Sequence, residues 1–230
     1  YLVQAHNLPY LEFAILFRGN HQSRPLEKEL QLLKIPYHIT GGTAFLDRGE
    51  VTDVLAWLRI IANPDDDAAF LRAVTSPKRE VGAGSLEKLA QMARHAHIPL
   101  SLAAQNSSYV NALSARPAAG LSEFMRLIVR LRAQSKSAKA ADIVRAVIAE
   151  SGILGQLRLE TKNEALFLRR KENLDELAQW FEAERRPSGA GDLAAQLALL
   201  GNADRGDPGN QVRLMSLHSA KGLEFRCVFI

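Results

Sequence analysis

Two short apolar runs near the end of the sequence, residues 212–217 and 226–230, constrain the fold of this chain more than any other feature. Each run has the length and composition of a buried strand, so the segment predicts a strand, a turn with one or two helical turns, and a second strand. Loops that leave the carboxyl ends of parallel strands often bind ligands, because backbone amides and helix N-termini point outward there. The alternative is an ordinary strand-to-helix connection with a serine cap. The loop is dense in polar and small residues, namely Ser216, His218, Ser219, Lys221, Gly222 and Glu224.

A strand–helix–strand pattern lies near the start of the chain. The run Phe13–Phe17 is typical of a buried strand, and Arg18 begins the turn that follows it. A helix with leucines at 26, 30 and 33 on one face comes next, and a proline ends it before a second strand at residues 37–39. This order predicts a right-handed crossover within a parallel sheet. We therefore expect Arg18 on the same edge of the sheet as the polar loop.

The middle of the chain has a different character. Strand signals are absent from Pro77 to Gln211, and alanine, leucine and basic residues recur there at helical spacing. The sequence thus predicts an α/β fold in which a partial parallel sheet is interrupted by an all-helical insertion. Three aspartates at 65–67 follow a helix predicted over residues 50–62. We interpret them as a cap and first-turn acids of the next helix, and we predict no metal site.

Composition narrows the class of protein. The 230 residues are 47% hydrophobic and 23% charged, which is typical of a globular protein. No apolar run approaches the roughly 20 residues of a membrane helix, so we expect a cytoplasmic protein without a membrane partner. The net charge of +4 agrees with a polyanionic partner but does not require one. The chain starts without methionine and stops inside a predicted strand, so we expect it to be a fragment of a longer protein.

Three stretches in order carry a resemblance to a known family. The sequence LMSLHSAKGLEF resembles motif V of superfamily 1 DNA helicases of the UvrD/Rep type, and EFAILFRGNHQSR resembles motif IV. Residues 39–82 are similar to the segment that follows motif IV in that family. The resemblance implies a RecA-like 2A domain at residues 1–82 and 207–230, interrupted by a helical 2B subdomain at residues 83–206.

The resemblance also implies roles in an ATP site. It places the ring of Phe17 on the adenine, although a core position at a strand end is the alternative for this residue. It makes Arg18 an arginine finger, which stabilises charge on the transferred phosphoryl group; without the family it would be a solvated surface arginine. Glu224 would accept hydrogen bonds from the ribose. The cofactors implied for the parent protein are ATP and Mg²⁺, with none bound by the fragment alone.

Roles in DNA binding follow from the same resemblance. Ser216 and His218 would contact the backbone of single-stranded DNA without selecting sequence. Gly41, Gly42 and Phe45 would contact the same strand through close backbone approach and base stacking, with a plain tight turn as the alternative.

A weaker duplex contact is expected where the predicted insertion begins. Lys78, Arg79 and Gly82 lie there, where the family often has a Gly-Ile-Gly turn near duplex phosphates. Here Glu80 replaces the first glycine, which weakens the expectation.

Some parts of an ATP site are missing from the sequence. No G-x-x-x-x-G-K-[ST] stretch and no acidic Mg²⁺-binding run occur, so we expect the fragment alone to be inactive as an ATPase. The parent protein would be a 3′ to 5′ ATP-dependent DNA helicase of replication or repair. Its partners would be DNA, the 1A and 1B domains of the same chain, and replisome proteins. The alternative is a non-enzymatic DNA- or protein-binding module that kept the fold.

Overall fold

The chain folds into two compact units. A computed structural model describes residues 8–19, 22–40, 45–182, 193–197 and 209–230. One unit comprises Tyr1–Arg48 and Leu197–Ile230, and the other comprises Gly49–Gln196. We call them the sheet unit and the helical unit and describe each by itself.

A parallel four-stranded sheet forms the sheet unit, in the order β2-β3-β1-β4. The predicted α/β class with a parallel sheet is thereby confirmed. The strand β3 lies between β1 and β2, and the handedness of their crossover stays a prediction. The elements are β1 (Phe13–Phe17), α1 (Ser23–Leu32), β2 (Tyr37–Thr40), β3 (Val212–Ser216) and β4 (Cys227–Phe229), with short 3₁₀ helices at Tyr10–Glu12 and Phe45–Asp47.

The core of this unit lies between one face of the sheet and α1. Alternate residues of a strand point to one face, and here β1 and β3 supply large apolar side chains to the same face. Leu30 of α1 is buried against them, but Leu33 is 66% exposed. The predicted inner position of Leu33 is wrong because the helix ends at Leu32, and Lys34 has a left-handed φ of 56°. The buried cluster consists of Phe13, Phe17, Leu30, Val212 and Leu214.

Helices alone make up the helical unit over its described residues, as the spacing of apolar residues predicts. Its centre holds three aromatic rings in edge-to-face contact: the centroid of Phe124 lies 5.0 Å from that of Trp57 and 5.6 Å from that of Phe70. The helices are α2 (Gly49–Ala62), α3 (Asp67–Thr75), α4 (Ala83–Ala96), α5 (Leu100–Ala103), α6 (Ser107–Asn111), α7 (Ala115–Ser135), α8 (Ala140–Glu150), α9 (Ile153–Glu160) and α10 (Glu164–Glu182). None of the helices described is long and apolar enough to cross a membrane.

The helical unit begins earlier than the predicted insertion. Helix α2 packs against α7, α8 and α10 and therefore belongs to the helical unit, although the resemblance assigns residues 1–82 to the 2A domain. The predicted limits 1–82, 83–206 and 207–230 stay a prediction, since the packing of compact units and the domain division of a family need not coincide.

The aspartates at 65–67 act as the sequence predicts. The Oδ1 atom of Asp66 accepts a 2.9 Å hydrogen bond from the N–H of Ala69, which caps α3, and Asp67 lies in the first turn. The cap interpretation is confirmed. Within the ranges that the structure describes, no group of three His, Cys, Asp or Glu residues is arranged to hold a metal ion.

Candidate functional site

The carboxyl ends of β1 and β3 lie next to each other. Phe17 and Ser216 are register partners, and the N–H of Leu217 donates a 2.9 Å hydrogen bond to the carbonyl oxygen of Phe17. The loops that begin at Arg18 and Leu217 therefore leave the sheet side by side, although almost the whole chain separates them in sequence. This adjacency is the geometric condition for one site built from both loops.

A glutamine side chain organises the loop after β1. Its Oε1 atom accepts hydrogen bonds from the backbone N–H groups of Arg18, at 2.9 Å, and Gly19, at 3.0 Å. The N–H of the same Gln22 donates to the carbonyl oxygen of Gly19 at 2.9 Å. Sequence reasoning missed this residue; the available signal was an amide side chain four positions after the arginine, where α1 begins.

The Arg18 side chain is exposed at this rim. Its guanidinium has no ion-pair partner among the residues described, unlike those of Arg59 and Arg72, which pair with Asp66 and Asp53. An exposed guanidinium presents N–H donors in a planar fork that fits phosphate oxygens. The position is therefore suited to an external phosphate.

Phe17 lies in the core of the sheet unit. Its side chain is 5% exposed and belongs to the buried cluster. This packing matches the alternative considered from the sequence, a core position at a strand end. Stacking on an adenine stays a prediction, and it requires a ring face that this packing covers.

The loop after β3 is a series of turns and lacks the one or two helical turns expected. The Oγ atom of Ser216 lies 2.9 Å from the Oγ atom of Ser219 and accepts the N–H of that residue at 3.1 Å. Ser216, rather than Ser219, thus caps the turn. Gly222 has a φ of 85°, which only glycine adopts without strain, and it ends the series.

His218, Lys221 and Glu224 are exposed ionisable side chains of this loop. Each makes no side-chain hydrogen bond or ion pair to any other residue that the structure describes. The hydroxyl of Ser216 is half-buried and already engaged in the turn. The loop therefore presents an imidazole, an ammonium and a carboxylate to external ligands, while Ser216 shapes the backbone.

Phe45 is buried in the sheet unit. The residue has no exposed surface, the guanidinium of Arg48 lies 5.4 Å from its ring centroid, and its backbone N–H donates to the buried carboxyl group of Glu27 at 2.8 Å. Base stacking by this ring stays a prediction, and it requires a ring face that this packing covers. Gly41 and Gly42 lie outside the described residues.

Glu27 is a fully buried carboxyl group of the sheet unit. Besides the N–H of Phe45, its carboxylate accepts the hydroxyl of Ser23 at 2.9 Å and that of Tyr37 at 3.4 Å. Burial raises the pKa of Glu27 above its ordinary value of 4.5, and the hydrogen bonds oppose this rise. Burial and the neighbouring carboxylate also raise the pKa of Tyr37. Through these hydrogen bonds the Glu27 side chain connects α1 to β2 and to the 3₁₀ helix at Phe45–Asp47.

The residues predicted to contact duplex DNA lie in the helical unit, and the Arg79 side chain is engaged there by other residues. The Arg79 guanidinium donates to the carbonyl oxygens of Ala73, at 3.1 Å, Pro77, at 2.7 Å, and Ser151, at 2.7 Å. It also stacks 4.7 Å from the ring centroid of Trp57, and burial lowers the pKa of Arg79 to about 10. The duplex contact of Arg79 stays a prediction, and it requires the guanidinium to leave these partners.

Lys78 and Gly82 remain candidates for a contact with the phosphates of duplex DNA. The ammonium of Lys78 is exposed and has no partner among the residues described, while its backbone N–H donates to the Oε1 atom of Gln156 at 2.7 Å. Gly82 precedes α4, and a Cβ atom built there meets nothing within 4 Å. Duplex binding by these residues stays a prediction.

Comparison with known proteins identifies the kind of domain. A family model described as "UvrD-like helicase C-terminal domain" matches residues 2–230. The chain is 36% identical over 233 residues to ATP-dependent DNA helicase Rep of Escherichia coli (strain K12), covering 96% of this chain and 34% of the relative. It is 35% identical over 229 residues to ATP-dependent DNA helicase PcrA of Bacillus subtilis (strain 168), covering 95% and 31%. The chain thus spans roughly a third of the length of these curated relatives.

Proposed function

This chain belongs to the UvrD-like helicase C-terminal domain family, and we propose that it supplies half of the ATP site and part of the single-stranded DNA track of an ATP-dependent DNA helicase. The observation that carries the proposal is the pair of loops joined by the Leu217–Phe17 hydrogen bond. One loop presents a guanidinium without an ion-pair partner in the described part of the chain, and the other presents an imidazole and a carboxylate. We therefore propose that the ATP site and the DNA contact lie at the same edge of the sheet.

Arg18 is the group proposed to act on ATP. Its guanidinium stabilises the negative charge that develops on the transferred phosphoryl group, an effect worth about 10³-fold or more in rate for arginine fingers. Glu224 is proposed to accept the ribose hydroxyls. Mg²⁺ neutralises phosphate charge when it is bound with the nucleotide. The described part of this chain has no carboxylate cluster for it, so other domains of the protein would hold the metal and the phosphates.

His218 is the group proposed to contact DNA. An exposed imidazole can donate to phosphate oxygens of any sequence, as a motor that steps along DNA requires. Because the His218 loop is bonded to the end of β1, a shift of Arg18 when the phosphoryl group leaves would move the DNA contact with it. We propose movement 3′ to 5′ and a role in replication or repair, with replisome proteins as further partners. Isolated, this chain should hydrolyse no ATP above background.

The test is Arg18→Ala in the full-length protein, with DNA-stimulated ATP hydrolysis as the readout. We expect kcat to fall about 10³-fold while the affinity for single-stranded DNA without nucleotide stays the same. Arg126→Ala is the matched control, since Arg126 is also exposed without an ion pair to the residues described but lies in α7. A wild-type kcat in Arg18→Ala would favour the alternative, a DNA- or protein-binding module without a motor.

A further inference from the structure

We propose that Gln22 is a positioning residue for Arg18, which holds the backbone from which the guanidinium projects. The inference rests on the proposed function, because it concerns the same phosphoryl contact. Its direct evidence is the pair of hydrogen bonds from the N–H groups of Arg18 and Gly19 to the single Oε1 atom of Gln22.

Gln22 is itself firmly placed. It is the N-cap residue of α1, and the next residue, Ser23, is buried and donates its hydroxyl to Glu27 at 2.9 Å. Glu27 is fully buried and also accepts the N–H of Phe45. The start of α1 is therefore anchored in the core of the sheet unit, and the Gln22 side chain extends that anchor to the exposed loop.

The loop needs such an anchor because its own sequence does not restrict it. Arg18 is exposed, and Gly19 has no Cβ atom to limit its backbone angles. Without the Gln22 acceptor, water would satisfy both N–H groups, and the arginine would sample more positions. A donor stabilises a transition state only when it is already in place, and small displacements lower the rate strongly.

The chemistry also explains why the residue is a glutamine. An uncharged acceptor satisfies both N–H groups without pairing with the nearby guanidinium, whereas a carboxylate would attract the guanidinium away from a phosphate. The shorter asparagine would not reach across the turn from the helix start. Methionine has a similar length and shape without an oxygen acceptor, so Gln22→Met removes the two hydrogen bonds with little change in volume.

The experiment compares Gln22→Met, Arg18→Ala and the double variant in the full-length protein. We expect Gln22→Met to lower kcat roughly tenfold with an unchanged KM for ATP, the loss of about two hydrogen bonds. The double variant should be no slower than Arg18→Ala, because a positioning residue has no effect once its target is gone. Gln31→Met is the control: Gln31 also donates its side-chain amide within the sheet unit, to the hydroxyl of Tyr37 at 3.2 Å, and its loss should leave kcat unchanged.

A binding measurement gives a second readout. Affinity for ADP with aluminium fluoride, which mimics the transferred phosphoryl group, should fall by the same factor in Gln22→Met, while affinity for ADP alone should not change. Gln22→Met and Gln31→Met should lower the melting temperature to a similar, small extent.

The possible failures are distinct. A wild-type kcat in Arg18→Ala would refute the proposed function and this inference together. If Arg18→Ala is slow but Gln22→Met has wild-type kcat and fluoride-complex affinity, only the positioning role is refuted. The same conclusion follows if the effects of the two substitutions multiply in the double variant.

Discussion

The carboxylate of Glu27 accepts a 2.8 Å hydrogen bond from the backbone N–H of Phe45, and both residues are fully buried. A charged side chain thus fixes a main-chain segment 18 positions away and turns an aromatic ring, predicted to stack on DNA, into part of the core. The contact also connects the start of α1, which carries the Arg18 loop, to β2 through Tyr37.

Glu27 predicts a pH dependence of stability. Its folded-state pKa is raised by burial, so the folded protein binds the proton more tightly than the unfolded chain does. The stability that this proton contributes is fully present below the ordinary value of 4.5 and is lost as pH rises through the raised folded-state pKa. The free energy of unfolding of the wild type, relative to Glu27→Gln, should therefore decrease across that window.

The measurement is urea unfolding of both proteins at a series of pH values. Glu150→Gln is a suitable control, because Glu150 is largely exposed and paired with Arg130 on the surface of the helical unit. If the free energy of unfolding of the wild type instead increases with pH relative to that of Glu27→Gln, the prediction is contradicted.

Gly120 predicts a steric cost. A Cβ atom at this position of α7 would lie 2.1 Å from the carbonyl oxygen of Arg79 and 3.4 Å from the side chain of Val81. The first contact is backbone, so α7 must shift, and Gly120→Ala should lower the free energy of unfolding by about 1–3 kcal/mol despite the better helix propensity of alanine. Gly155→Ala in α9 meets nothing within 4 Å and should raise stability by about 0.5–1 kcal/mol. If urea unfolding gives the same change in free energy for Gly120→Ala and Gly155→Ala, the close approach of Gly120 to the Arg79 carbonyl is contradicted.

Arg79 and Lys78 are expected to differ although they are neighbours. Arg79→Ala removes three hydrogen bonds to carbonyl groups and a guanidinium stacked on Trp57, so stability should fall by about 2–4 kcal/mol. Lys78→Ala should change stability by less than about 0.5 kcal/mol, since its ammonium is exposed. Thermal unfolding and a salt titration of duplex binding separate the two: if Lys78 contacts a phosphate, its loss reduces the salt slope by about 1. A stable Arg79→Ala protein with weakened duplex binding would instead support the predicted phosphate contact of Arg79.

His218 is expected to affect DNA affinity and leave the fold unchanged. His218→Ala should weaken binding of single-stranded DNA several-fold for all sequences alike, because a phosphate contact carries no sequence information. His95→Ala is the matched control, an exposed histidine in α4. Fluorescence anisotropy with two oligonucleotides of different sequence measures the effect, and equal affinities for the two histidine variants would contradict it.

Local sequence patterns predicted most of the elements. The strands near residues 13, 37, 212 and 227, the helical middle of the chain and the Asp66 cap all follow from side-chain periodicity and capping chemistry, which act within a few residues. Glu27 lies on the inner face of α1, four residues after Ser23 and three before Leu30, but no sequence pattern singled it out. The spacing did not identify the distant N–H that Glu27 accepts.

The sequence by itself determined which segments form strands and helices and which loops are polar, because those preferences depend on neighbouring residues. Only the tertiary structure decided which side chains remain available to a ligand. Phe17, Phe45 and Arg79 are covered by partners, some of them as distant in sequence as Ser151 is from Arg79. Arg18 and His218 stay exposed. Burial depends on contacts between segments that are far apart in sequence. A residue type that could bind DNA or ATP can equally pack in the core, and only the fold decides between the two positions.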